Sequence, residues 1–221
     1  MSTQVVYLPD EDLAALRACV RDNYPSFLGR FDARPEIREL GQPYFGRHRV
    51  LELASAMPLP ARRLHLALSE WGEVLPLSGR AARFQALCRA DPPPPINAAG
   101  VALDYALFAD FVTTEGELGE LTLHRFSDIP FHAELDRTDR IIRESVRDTV
   151  GEQIGSPVAT ESEGGWTVIK WVVSEGALIR RELTVGRDGA FRRANDVLEP
   201  ELPVPLGRIW GVVDGRVVPV G

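Results

Sequence analysis

Cysteine, lysine and long apolar runs are what this 221-residue sequence has least of. Its two cysteines, Cys19 and Cys88, stand in unrelated segments without C-x-x-C spacing. That excludes a disulfide scaffold and a cysteine-based zinc knuckle, and it points to a reducing compartment. No stretch approaches membrane-spanning length, so no membrane partner is expected. The opening residues, Met1-Ser-Thr-Gln-Val-Val-Tyr-Leu-Pro-Asp-Glu-Asp, carry no basic region ahead of an apolar one, so no secretory signal is expected and the reading is cytoplasmic. Lysine occurs once, as Lys170, among 25 basic residues. With the wealth of Ala, Gly and Pro, this reads as bacterial GC-rich coding bias, not as arginine selected for phosphate. The balance of 32 acidic against 25 basic residues, a net charge of −7, repels polyanions, and no nucleic acid is expected. There is no P-loop, no G-x-G-x-x-G after a strand, no H-E-x-x-H, no G-x-S-x-G elbow and no EF-hand loop, so neither a cofactor nor a metal is expected.

What is present is an ordinary globular composition, 44% hydrophobic and 26% charged, which excludes disordered and fibrous classes. The length suits a single domain over 1–221, with a helical or irregular lead (1–60), an α+β core (61–200) and a hairpin tail (201–221). Pro9 followed by Asp10, Glu11 and Asp12 marks a helix start, Leu13, Leu16, Val20 and Tyr24 recur at helical spacing, and Pro25 ends the run. Residues 26–60 read as loop around one possible strand at 49–53. The runs 64–68 and 74–77 flank a glycine-containing turn as a hairpin, and Pro76 places its second strand on an edge. Four prolines, 92–95, form a stiff spacer. Asn97 opens a helix with Leu103, Leu107 and Phe111 as its stripe, residues 120–126 alternate like a half-buried strand, and Asp136 caps a helix that turns Ile141, Ile142, Val146 and Val150 inward.

From residue 166 the pattern is β. Segments 166–173, 178–185 and 190–193 are joined by short glycine-containing turns, as in an antiparallel meander. Asp214-Gly215 between two apolar runs is the strongest local signal in the chain, a terminal hairpin. The expected fold class is α+β: a helical/irregular N-terminal third, then helices packed on an antiparallel β-sheet meander of five to seven strands, with a C-terminal β-hairpin. The order of elements is partly that of a cone-shaped NTF2-like domain, from which the strand near His124 departs.

Leu75-Pro-Leu-Ser-Gly, Asp104-Tyr-Ala-Leu-Phe-Ala-Asp-Phe-Val, Glu120-Leu-Thr-Leu-His-Arg-Phe-Ser-Asp-Ile-Pro and the later Asp188-Gly turn together resemble an uncharacterised family of bacterial proteins over about residues 75–205. The resemblance implies a bacterial origin and a shared fold; it implies no activity and no site residues.

Candidate chemistry is sparse. His124, Asp128, His132 and Glu134 gather imidazoles and carboxylates around a strand end, the types that bind divalent metals or share protons, although their spacing fits no ligand motif and surface loops hold such residues routinely. Arg181, Arg192 and Arg193, near Arg180 and Arg187, sit on adjacent strands and could form an anion site, against the plain alternative of a solvated sheet face. Arg181 shares its face with Ile179, Leu183 and Val185, so an inward face would give it a partner or a cleft. Lys170 lies in an apolar row and is expected to snorkel outward. Trp166 and Trp171 face opposite ways, so at most one belongs to the core beneath the sheet, the other being partly exposed or otherwise covered. Ile209, Trp210, Val213 and Val218 make the terminal hairpin too apolar for water, which implies that it covers its own sheet or forms a contact between copies. The functional expectation is a non-catalytic binding or protein-interaction module, a homodimer. The alternative is a small-molecule enzyme with a cleft near His124 and His132.

Overall fold

A strand that is buried along nearly its whole length, without alternation, is one covered on both faces, and two strands of the chain's first half, His48–Ala54 and Arg63–Ser69, are buried in this way. The computed structural model describes residues 2–27, 36–54, 63–114, 120–205, 210–213 and 216–219. By their contacts these form two compact units, Met1–Glu117 with Val185–Arg192, and Leu118–Thr184 with Arg193–Gly221.

The first unit contains β1 (Ser2–Val5), α1 (Asp10–Asn23), a 3₁₀ turn at Pro25–Phe27, β2 (Glu36–Gly41), β3 (His48–Ala54), β4 (Arg63–Ser69), β5 (Val74–Pro76), α2 (Ala81–Ala90) and α3 (Ala99–Thr113). The strands form one antiparallel sheet in sequential order, with Leu51 opposite Leu66 and Glu52 opposite His65. On one face, Leu16, Cys19 and Val20 of α1 pack with Leu51, Leu53, Leu64, Leu66 and Leu68. Full burial of each such side chain is worth about 1.5–3 kcal/mol. On the other face Phe111 of α3 meets His65, ring centres 4.5 Å apart. Phe45 joins Phe84 of α2 to Phe108 of α3 at 5.9 and 6.4 Å.

Among its described residues the first third, expected to be helical and irregular, holds α1 but also strands β1 to β4. β2, Glu-Ile-Arg-Glu-Leu-Gly, has too few apolar positions to announce itself, and its conformation follows from pairing with β1 and β3. Helix α2 was also absent from the sequence reading, although Phe84, Leu87 and Cys88 are its buried stripe. In α3 the buried positions are Ala102, Tyr105, Ala106, Phe108, Ala109 and Val112, whereas Leu103, Leu107 and Phe111 are half-buried. A helix that is apolar all round offers no periodicity from which to choose a face.

The second unit contains β6 (Leu121–Leu123), a 3₁₀ turn at Phe126–Asp128, α4 (Arg137–Val150), β7 (Val158–Ser162), β8 (Gly165–Ser174) and most of β9 (Ala177–Gly186) and β10 (Phe191–Glu199). The strand order is β10-β9-β8-β6, with β7 also paired to β8. Asp136 caps α4, its Oδ1 accepting the Asp139 N–H at 2.8 Å. Val146 and Val150 of α4 then pack on Leu121, Leu123, Trp171, Val173 and Leu178. Ile141 does not join them: it is 59% exposed. Trp166 and Trp171 lie on opposite faces of β8 and both are buried, so the sheet is covered on both sides there. The terminal hairpin forms as the Asp-Gly signal implied, β11 (Trp210–Val213) against β12 (Arg216–Pro219) with Val213 opposite Arg216, as a separate two-stranded sheet. The molecule is therefore α+β, and none of the described helices is long and apolar enough to cross a membrane.

Candidate functional site

The four residues gathered around the strand end separate into two pairs. After β6 the chain turns sharply, and Asp128 holds that turn: one oxygen accepts the His124 N–H at 3.0 Å, the other the Arg125 Nε–H at 2.9 Å. Partial burial pushes its carboxyl up, but these donors outweigh burial and hold it below the usual carboxylate range. His124 is exposed, with Nδ1 3.1 Å from Ser156 Oγ. This pair is a turn lock with its lone pairs engaged.

His132 and Glu134 instead border a solvent-open groove of about 700 Å³ between the 126–135 segment and the start of α4. Phe126, Ile129 and Phe131 supply its apolar lining, the two phenyl rings packed at 5.8 Å. Arg140 and Arg143 of α4 stand over it, and the Arg143 guanidinium stacks 5.6 Å from the centre of the Phe131 ring. The segment is pinned by the His132 N–H donating to the Pro203 carbonyl at 3.0 Å. The groove thus joins an aromatic floor to two guanidinium groups against one carboxylate, in a chain whose net charge is −7.

The arginines of the meander do not form one site. Arg181 is 4% exposed and engages Glu120: its Nη1 donates to Oε1 at 2.9 Å, and Nη2 lies 2.7 Å from Oε2, off the hydrogen-bonding line. Its Nε donates to Asn195 Oδ1 at 2.9 Å. Arg193 is half-buried and Arg192 exposed, on consecutive and therefore opposite-facing positions of β10. Lys170 corrects the expectation of an outward-snorkelling side chain: it is 8% exposed and donates to Glu120 Oε1 at 2.9 Å. Two buried cations share one carboxylate, an arrangement that holds a fold together and leaves no vacant anion seat at Glu120.

His48 and His65 are both buried in polar clusters of the first unit. His48 Nδ1 is 3.1 Å from Asp91 Oδ2, which also accepts the Arg47 N–H at 2.7 Å; the Trp71 ring stands edge-on to the imidazole, centres 5.7 Å apart. His65 lies between Ser78, whose Oγ is 3.4 Å from Nδ1, and Glu52, whose Oε2 is 3.5 Å from Nε2. Ser, His and Glu have the composition of a nucleophilic triad. Here Ser78 is 1% exposed and its oxygen accepts the His65 backbone N–H at 2.9 Å, so Ser78 is not presented to a substrate as a nucleophile. A detectable signal was the single polar residue in each of two facing apolar runs, Glu52 in β3 and His65 in β4.

Burial keeps the His65 imidazole neutral and its pKa below the ordinary 6.5, against the pull of Glu52. Burial likewise pushes the Glu52 carboxyl up, but His65, Arg63 and Arg38 outweigh it and hold it below its usual range. Below about pH 6.5 the unfolded chain therefore binds a proton at His65 that the folded chain refuses, and stability falls on acidification, by up to about 1.4 kcal/mol per pH unit. Urea unfolding between pH 7.5 and 5.5 should show this slope, reduced by one proton in His65→Leu; an identical slope in the variant would assign the titration elsewhere.

Among the described residues no group of three or more His, Cys, Asp or Glu side chains is placed to hold a metal ion. Of the hairpin positions, Ile209 lies outside the described residues, and Trp210, Val213 and Val218 are described only as members of the paired strands β11 and β12. No family model, curated protein or solved structure matches the chain.

Proposed function

We propose that this protein is a non-catalytic binding module whose recognition surface is the groove beside α4, and that the groove takes an extended acidic peptide segment carrying an aromatic or branched apolar side chain. One observation carries the reading: the Phe126, Ile129 and Phe131 floor stands beside Arg140 and Arg143, with the Arg143 guanidinium over the Phe131 ring. The apolar floor suits a side-chain anchor, and the guanidinium groups suit carboxylates on either side of it. An open groove favours an extended segment over a small molecule, because little of a small ligand would be enclosed. The catalytic alternative required at least two of His124, Asp128 and His132 in one enclosed pocket; only His132 reaches the groove. The bacterial cytoplasm is the setting we infer, a compartment that suits two buried free thiols, Cys19 and Cys88.

Selection from a random peptide library displayed on phage, against the full-length protein, tests the reading. Enriched peptides should place Asp or Glu beside Phe, Trp or Leu, and a synthetic consensus peptide should bind the Arg140→Glu/Arg143→Glu variant at least about tenfold more weakly, a loss of about 1.4 kcal/mol. Affinity should also fall with added salt. Failure to enrich such peptides, or binding indifferent to the two arginines, would overturn it.

A further inference from the structure

We infer that two copies of this chain join edge to edge through β10, antiparallel and related by a two-fold axis, extending the sheet of the second unit across both molecules. Among the described strands β10 is the terminal one of its sheet, paired with β9, and at its start the Phe191 carbonyl accepts a hydrogen bond from the Gln85 side chain. At nine residues it is longer than the other edge strands described, β1, β5, β6 and β7. Its outer part is exposed almost continuously, from Arg192 to Leu198 with Arg193 half-buried, and Val197 and Leu198 are 53% and 38% exposed. An edge strand presents a row of backbone donors and acceptors to any chain that lies alongside. This one has no proline within it and no lysine, two of the usual devices that keep an edge unpaired.

Charge chooses the occupant. The strand reads Phe191-Arg-Arg-Ala-Asn-Asp-Val-Leu-Glu199: both cations lie near its start, both anions toward its end. In an antiparallel pair of identical strands, Arg192 and Arg193 of each copy run alongside the Asp196 and Glu199 half of the other. In a parallel pair, like charges would align. Opposite charges across strands contribute about 0.2–1 kcal/mol per pair, and like charges oppose pairing. A strand segregated by sign in this way is complementary to itself in one direction only, and that direction permits a closed two-fold dimer in place of an open-ended stack. Charges of a single sign along the strand would repel a second copy; segregated charges select one orientation of it. This contact lies on a different element from the peptide groove, so either can fail alone.

Sedimentation velocity of the full-length chain over a concentration series provides the test. The wild-type chain should dimerise. Arg192→Glu/Arg193→Glu gives an all-acidic edge and Asp196→Arg/Glu199→Arg an all-basic one; each alone should be monomeric at concentrations where the wild type is dimeric. Mixed in equal amounts, the two variants should recover a dimer, and the fourfold swap, which restores segregation in reverse order, should dimerise by itself. Circular dichroism checks that each variant is folded, because Arg192 and Asp196 are exposed whereas Arg193 and Glu199 are half-buried. A wild-type monomer throughout the series would overturn the inference. So would a dimer indifferent to these reversals, which is the outcome expected if the terminal hairpin made the contact.

Discussion

Gly189→Ala is expected to destabilise the first unit by about 2–5 kcal/mol, from about 1–2 kcal/mol for a left-handed backbone and about 1–3 kcal/mol for overpacking. Gly189 has φ +83°, and an added Cβ would stand 2.2 Å from Pro93 Cγ and 3.1 Å from the Tyr105 hydroxyl. Neither neighbour can give way easily. Pro93 sits within four consecutive prolines, and Tyr105 is fully buried, its hydroxyl donating to the Gly189 carbonyl at 2.8 Å and lying 3.2 Å from Cys88 Sγ. The control is Gly164, which has the same φ of +83° and nothing within 4 Å of the added atom. Gly164→Ala should cost only the backbone share, about 1–2 kcal/mol. Urea denaturation of both variants separates the two contributions; equal losses would mean that the close approach at Pro93 contributes nothing.

The second large effect is expected at Glu120. Its carboxylate is shared by Lys170 and Arg181 at 2.9 Å each, and both cations are more than nine-tenths buried. Glu120→Ala removes the carboxylate that both buried cations share, a loss of about 3–5 kcal/mol by analogy with broken buried ion pairs. The companion variant Glu120→Leu/Lys170→Met/Arg181→Met removes all three charges and keeps most of the volume. It should recover a large part of the loss, because apolar replacements of buried ion clusters are often neutral in stability. Thermal melts report the order wild type, triple variant, Glu120→Ala; a Glu120→Ala melt equal to wild type would show that the carboxylate does not hold these cations.

These two sites show unequal legibility. The turn containing Gly189 could be read directly, since Gly186-Arg-Asp-Gly between apolar runs is a hairpin connection. That a Cβ on its glycine would meet the distant Pro93 could not. The apolar row that contains Arg181 announced a buried arginine with a partner, and the alternation of β9 made that inference sound. Glu120 as the partner was invisible, because pairing of β6 with β8 is a long-range choice. The groove divides in the same way: His132 and Glu134 stand out in the sequence as residue types, whereas the approach of Arg143 to Phe131 is a matter of tertiary structure.

From the sequence alone came the α+β class, the helix that Asp136 caps, the β8–β9–β10 meander and the terminal Asp-Gly hairpin. Each rests on interactions between near neighbours, where cap, turn and period act over a few residues. The tertiary structure decided the first sheet, whose polar strand β2 is held by its neighbours, and the inward face of α3, which is apolar on every side. It also decided the burial of His48, His65 and Lys170 and the exposure of the β10 edge. A side chain's burial depends on what lies across from it, and that is set by which distant segments pair, a choice that no local pattern encodes.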